Sequence, residues 1–341
     1  MTGIYSHQLL AGPRGRRLLL ELACLRNTEL EQLMYAHVVQ GLDAAGRVKV
    51  IVELARSASI FQTQPPTSRE LVQSLGEAVR SAKYWETPDT EDQLLALEPI
   101  KNALRKLSQV IAENAPDWWS ERAATPQFRL QTPGQNTLAD PGMWHPSAGI
   151  RDWYQHTMYE ERTFEHFEAD TEHGGMWWSI PAHPSIPMTT RTLGPDGPVG
   201  LWAQEDQPAM DSAQVYSVEA HDDSKILEIA SMHDYAGLVE NYPLRLTASR
   251  QHNWHSVTGT HDEWYIPHWG LIAQDYDAVH LSVATYLESA TKRIGLRSGA
   301  TMIAGWSPDA TIWLTNKLHR ADEGSQWKHQ RVDTQEIWLA A

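Results

Sequence analysis

The chain has 341 residues and a single cysteine, Cys24, so no intrachain disulfide can form. Cys24 sits in LLLELACL beside Ala23 and Leu25. That is the setting of a small buried hydrophobe, not of a nucleophile. No stretch reaches the ~20 apolar residues that a bilayer crossing needs. The apolar run near the N-terminus is short and Glu21 interrupts it, unlike a secretory signal, and a cytoplasmic location is expected. Positive charge is scarce: 28 Lys and Arg against 43 Asp and Glu leave a net charge of −15. This opposes sequence-independent binding to nucleic acid and to anionic membranes. A local basic run, Arg14, Arg16 and Arg17 in GPRGRR, reads as a solvated turn.

Several motifs are missing. There is no GxGxxG after a strand, no GxxxxGK[ST], no GxSxG and no HExxH. These absences argue against a dinucleotide-binding Rossmann unit, a P-loop NTPase, the commonest serine hydrolases and the zincins. One cysteine excludes thiolate zinc sites. The 16 histidines gather partly at His156, His166 and His173 and again at His252, His255, His261 and His268. None of these intervals is a recognised metal spacing, so no metal site is expected.

What is present is a globular balance, 41% hydrophobic and 21% charged, long enough for one large or two ordinary domains. Trp is abundant at 15 against 4 Phe. Trp combines large area with one N–H donor, so half-buried positions at cleft walls are expected besides core filling.

Residues 1–124 read as mainly helical. The run 17–25 is strand or buried helix by periodicity alone. Thr28 with Glu31, and Thr67 with Glu70, have the spacing of capping boxes. Residues 48–54 read as a short strand. A helical stretch over 91–114 is expected to break at Pro99. Residues 125–146, rich in Pro and Gly and without a period, read as a linker or ordered loop. A second unit, 147–341, opens on a helix from Ser147 to about Glu172, closed by Gly174 and Gly175. Period-two patterning then suggests strands at 176–180, 188–193, 199–204, 213–218, 225–229, 244–247, 278–283, 301–306 and 311–314. Ser231 with Asp234 opens a short helix, Pro267 starts another, and residues 284–293 form a last one. The expected class is α+β: a helical N-terminal region packed beside a mixed, mostly antiparallel β-core.

Two constellations carry possible chemistry. In GGMWWSIP, Trp177 and Trp178 point to opposite faces if the segment is a strand, so one needs a second layer or a ligand to cover it. Arg191 follows among Thr189, Thr190 and Thr192. An aromatic plate beside an Arg suits a ring that bears phosphate, against the plainer reading of an interior Trp pair and a salt-bridged Arg. In IAQDYDAVHLS, Asp275 and Asp277 lead into a strand carrying His280, with Ser282 on the same face. A carboxylate near a His can set up general-base chemistry; the plainer reading is a capped helix-to-strand turn.

Segments including GPRGRRLLLELA, SAKYWETPD and YPLRLTASRQHNWHSVTG resemble a family of bacterial proteins over most of the chain, a resemblance that brings no activity with it. A partial one lies in the order GGMWWSIP, VYSVEA, ILEIAS, AQDYDAV and AGWSPDATIWL, which is similar to the core of ADP-ribosyltransferase-like domains. It implies a split mixed β-core and NAD as ligand. The family's first-strand Arg or His, its Ser-Thr-Ser strand and its terminal Glu have no clear counterpart, and MTTR matches the second only loosely. The expectation is a protein that holds NAD or a related nucleotide in a Trp-lined cleft. In it, Trp177 or Trp178 stacks the ring, Arg191 and Thr190 hold phosphate, and Asp275, Asp277, Glu228 or His280 act on the sugar. The competing expectation is a non-catalytic protein whose exposed Trp surface binds a protein partner, as in a toxin–antitoxin or phage-related pair.

Overall fold

Leucines 18–20, Leu22 and Ala23 are all buried, and burial on every side is what a continuous apolar run demands. The run is helical: α2 spans Pro13–Leu25, after the short α1, Ser6–Ala11. The arginines of α2 are not a solvated turn. Arg14 donates to Ala78 O at 2.9 Å and Ser81 Oγ at 2.7 Å and pairs with Asp92. Arg16 donates to Leu10 O, and Arg17 pairs with Glu21, Asp89 and Glu91. Each guanidinium is buried because carboxylates or carbonyls meet it there. Gly12, between α1 and α2, comes so close to α12 (Val283–Ser289) that a Cβ would lie 2.3 Å from Leu287 O.

The computed structural model describes residues 3–131, 144–166, 175–207, 210–332 and 335–341. Its next helices are α3 (Thr28–Gln40), α4 (Ala44–Thr63), α5 (Ser68–Arg80), α6 (Thr90–Leu95) and α7 (Glu98–Asn114). Asn27, not Thr28, caps α3 through Leu30 N at 3.1 Å. Thr67 and Glu70 do form the capping box of α5. The strand expected at 48–54 is the middle of α4. There Val50, Leu54, Ser57, Ala58 and Phe61 are buried at helical spacing. Pro99 lies in the first turn of α7, where its missing N–H costs nothing.

The region read as linker contains β1, Gln127–Gln131, paired antiparallel with β3, Ser212–Ala220. Helix α8 covers Pro146–Phe164; its expected stop at Gly174, and His173, fall outside the described residues. The remaining elements are β2 (Met188–Thr189), β4 (Ile226–Ile229), α9 (Met232–Asn241), β5 (Pro243–Arg245), α10 (Thr247–Thr258), β6 (Tyr265–Pro267), α11 (Trp269–Asp275), β7 (Ala278–Leu281), β8 (Ile294–Leu296), β9 (Gly299–Thr301), β10 (Thr311–Trp313), β11 (Leu318–Arg320), β12 (Ser325–Val332) and β13 (Gln335–Ala340). Ser231 caps α9 as its spacing suggests. Pro267 closes β6, and His268 caps α11.

Two sheets dominate this α+β fold. One has the order β1-β3-β12-β13, with β11 also on β3, all antiparallel. The other has the order β2-β10-β7-β4, in which only β4 and β7 run parallel. One apolar cluster extends from Ile4 through the helices to Trp338, so the helical region and the β-core share buried surface.

Candidate functional site

Residues 176–180 are irregular rather than a strand. Side chains take the place of most of a ladder: Trp254 Nε1 donates to Trp177 O at 2.9 Å and Trp269 Nε1 to Ser179 O at 3.0 Å, while Ser179 N donates to Ala304 O at 3.0 Å. This frees the two indoles from strand alternation, and they lie side by side, centroids 4.9 Å apart. Trp177 also stacks on Tyr84 at 5.0 Å and 5° and leans on Trp85 at 4.9 Å. Gly305, at φ +71°, passes so close that a Cβ would fall 2.2 Å from Trp178 Cδ1. Only glycine meets both demands there.

This aromatic wall faces Glu205. Its carboxylate is buried, and its Oε1 accepts from Tyr84 Oη at 2.7 Å and from the Tyr286 hydroxyl of α12. Its backbone N–H donates to Ser307 Oγ at 3.0 Å. Among the described residues no hydrogen bond reaches its Oε2. Residues 204–207 border two adjoining cavities, of about 250 and 180 Å³. Tyr84, Trp85, Trp177 and Arg80 line the first; Trp178, His183 and Gly305 line the second. Burial pushes the Glu205 carboxyl up to about 7 against the pull of the two phenols, and it raises both phenols well above 10. Asp206, at φ +52°, adds a second carboxyl that burial also raises.

A second array lies in the β2-β10-β7-β4 sheet. His280 on β7 is fully buried, with Nδ1 2.7 Å from Glu228 Oε2 on β4 and Nε2 3.4 Å from Asp309 Oδ1. Asp309, at φ +58°, accepts from Arg191 Nε at 2.7 Å and from Arg191 N at 2.9 Å. Burial alone lowers the imidazole, but its bonds to Asp309 and Glu228 outweigh burial and raise it. Glu228 borders a separate cavity of about 440 Å³ between β4 and α9.

The residues singled out from sequence thus divide. Glu228, His280 and Arg191 join one array through Asp309. Arg191 has every guanidinium nitrogen occupied, by Asp309, by Glu121 at 2.6 Å and by Arg122 O at 2.8 Å. It is a buried cation whose three nitrogens are each engaged by the protein, with three of its five N–H donors used. Thr190 Oγ1 is taken by Gly200 N at 3.1 Å. Asp277 fastens a turn through Lys225 N, Thr315 Oγ1 and Lys317 Nζ; these contacts hold its carboxyl low although burial pushes it up. Asp275 is exposed and accepts from Tyr242 Oη at 2.7 Å. Only Trp177 and Trp178 reach the Glu205 cleft. Tyr84, Trp85, Glu205 and Tyr286 went unnoticed, because a lone acid pair in QEDQ and scattered tyrosines carry no spacing signal. Comparison with protein-family models, with curated proteins and with solved structures finds no match for this chain.

Proposed function

We propose that the cleft beside Trp177 and Trp178 binds a nucleotide whose ring carries positive charge, with NAD in its oxidised form as the representative ligand. The observation that supports this is that Glu205, bonded through Oε1 alone among the described residues, borders the same cavities as Tyr84, Trp85, Trp177 and Trp178. Aromatic faces are negative and attract cations, by up to about 2 kcal/mol when water is excluded, and a carboxylate at the end of the wall adds to that attraction. Arg80, which borders the same cavity and pairs with Glu77 at the surface, takes the phosphate role first assigned to Arg191.

Titration with oxidised NAD, reduced NAD and ATP while following Trp fluorescence tests the reading. Oxidised NAD should quench the signal and bind at least tenfold more tightly than the reduced form, whose ring is neutral. If oxidised NAD at about millimolar concentration neither quenches fluorescence nor raises the melting temperature, the proposal fails.

A further inference from the structure

Helix α4 is apolar on two faces. Val50, Leu54, Ala58 and Phe61 are buried, and α4 packs on α7, α3 and α2. A second stripe, Ala45, Val48, Val52, Ala55 and Ser59, is wholly exposed, with Val48 at 59% and Val52 at 57%. Its steps of three and four residues are those of a helix–helix seam. The side chains are small, which lets a second helix approach closely. On α3, joined to α4 by a short turn, Tyr35, Val38 and Val39 are exposed at 74%, 55% and 65%. Five of the chain's large exposed hydrophobics therefore belong to one helical hairpin, more than isolated surface apolar residues require.

Charge selects the occupant. The chain as a whole carries −15, but α4 carries Arg47, Lys49 and Arg56 against the single acid Glu53, a local +2 (three minus one). The Glu53 carboxylate is already engaged by Asn27 Nδ2 at 3.0 Å. Lys49 and Arg56 stand seven residues apart along one edge of the exposed stripe; Arg56, 64% exposed, pairs only at 3.5 Å with Glu53, and Lys49 makes no ion pair with the described residues. Two copies paired antiparallel through this seam would set Lys49 against Arg56, and both copies carry −15, so self-association is disfavoured.

We infer that the exposed stripe of α4 is a docking seam for a partner protein that presents an amphipathic helix with acidic flanks. Small apolar residues of the partner fill the spaces between Val48 and Val52, and its carboxylates meet Lys49 and Arg56.

The test uses the full chain and labelled synthetic helices of about three heptads, long enough to be helical in water. One peptide has Leu and Ala along the seam and Glu along both edges; its control has Lys there. Anisotropy should show the Glu peptide bound at least tenfold more tightly than the Lys peptide. Val48→Glu with Val52→Glu should abolish that binding at unchanged melting temperature, because both positions face solvent. Lys49→Glu with Arg56→Glu should reverse the preference. The inference is overturned if the Glu peptide fails to bind at about 100 µM, or if binding survives Val48→Glu with Val52→Glu. It is equally overturned if sedimentation shows a dimer that Val52→Glu disperses, or if anionic vesicles bind the seam in place of the Glu peptide. Nucleotide binding is not read, so the outcome is independent of the cleft.

Discussion

Tyr84 and Trp177 stack with their rings 5.0 Å apart and 5° from parallel. The contact joins the helical region, just after α5, to the segment that follows α8. The same Tyr84 hydroxyl holds Glu205, so the aromatic wall and the buried acid are positioned by one side chain. Trp177 is buried under this contact, whereas Trp85, at 38% exposed, covers it from the outside.

The two indoles should therefore respond differently to truncation. Trp177→Ala leaves a cavity between Tyr84 and Trp178 and should cost ~3–5 kcal/mol in chemical denaturation. Trp85→Ala should leave stability within about 1 kcal/mol, as expected for a partly exposed site. It should weaken oxidised NAD by about threefold to thirtyfold through the lost cation–π face. A Trp85→Ala variant that binds NAD as the parent does would remove Trp85 from the site.

The buried array around His280 predicts a stability effect rather than a binding effect. Asp309 accepts from both Arg191 and His280. Asp309→Ala leaves the Arg191 cation and the His280 imidazole without their shared carboxylate and should cost ~3–5 kcal/mol, with nucleotide affinity unchanged in whatever folds. The raised imidazole adds a pH dependence. Its stabilisation is fully present below the unfolded His value and is lost as pH rises through the higher folded one. Glu228→Gln removes one cause of that rise and should flatten the alkaline decline in melting temperature. An unchanged profile would contradict the role given to Glu228.

Helices and caps were legible in the sequence where local signals agree. Thr67 with Glu70, Ser231 with Asp234, and the helical stretch over 91–114 with its break near Pro99 all hold in the fold. Local periodicity misled at 48–54, where β-branched residues sit inside a helix whose partners are distant in sequence, and at 176–180, where indole N–H groups replace a ladder. β1 was hidden in a Pro-rich stretch because its pairing depends on β3, some ninety residues on (Gln127 opposite Val218). β11–β13 were missed because alternating polar strands on an exposed sheet resemble coil. For the site, Trp density marked Trp177 and Trp178. Glu205 meets Tyr84 and Tyr286 only through the tertiary fold, and nothing in their spacing announces it.

Cys24 gives a test of burial. Burial first, and then the charge of Glu21, push its thiol well above the ordinary value. Cys24 is half-buried, so a thiol reagent should reach it in the native protein but label it slowly, because little of the thiol is ionised at neutral pH. Reductant should leave the melting temperature unchanged. Rapid native labelling at neutral pH would show that the thiol is not held in its protonated form.

The last prediction concerns Glu205 itself. Its folded carboxyl titrates at about 7 against 4.5 for an ordinary Glu, so between those values the folded state holds a proton that the unfolded state has released. Stability must then fall as pH rises through that window, by a total on the order of 3 kcal/mol at high pH. Glu205→Gln keeps an oxygen for Tyr84 and Tyr286 but cannot ionise. It should be more stable than the parent at pH ~8 and nearly equal to it at pH ~5. Binding should run the opposite way. Oxidised NAD should bind the parent more tightly as Glu205 becomes anionic above about 7, because the positive ring then meets a full negative charge. In Glu205→Gln the affinity should be weaker and flat across the same range. Stability and affinity that move in opposite directions with pH in the parent, with the Glu205 share of both lost in the variant while the His280 share of stability stays, would tie both to one carboxyl. If the parent's affinity is flat from pH ~5 to ~8, Glu205 does not face the ligand's charge.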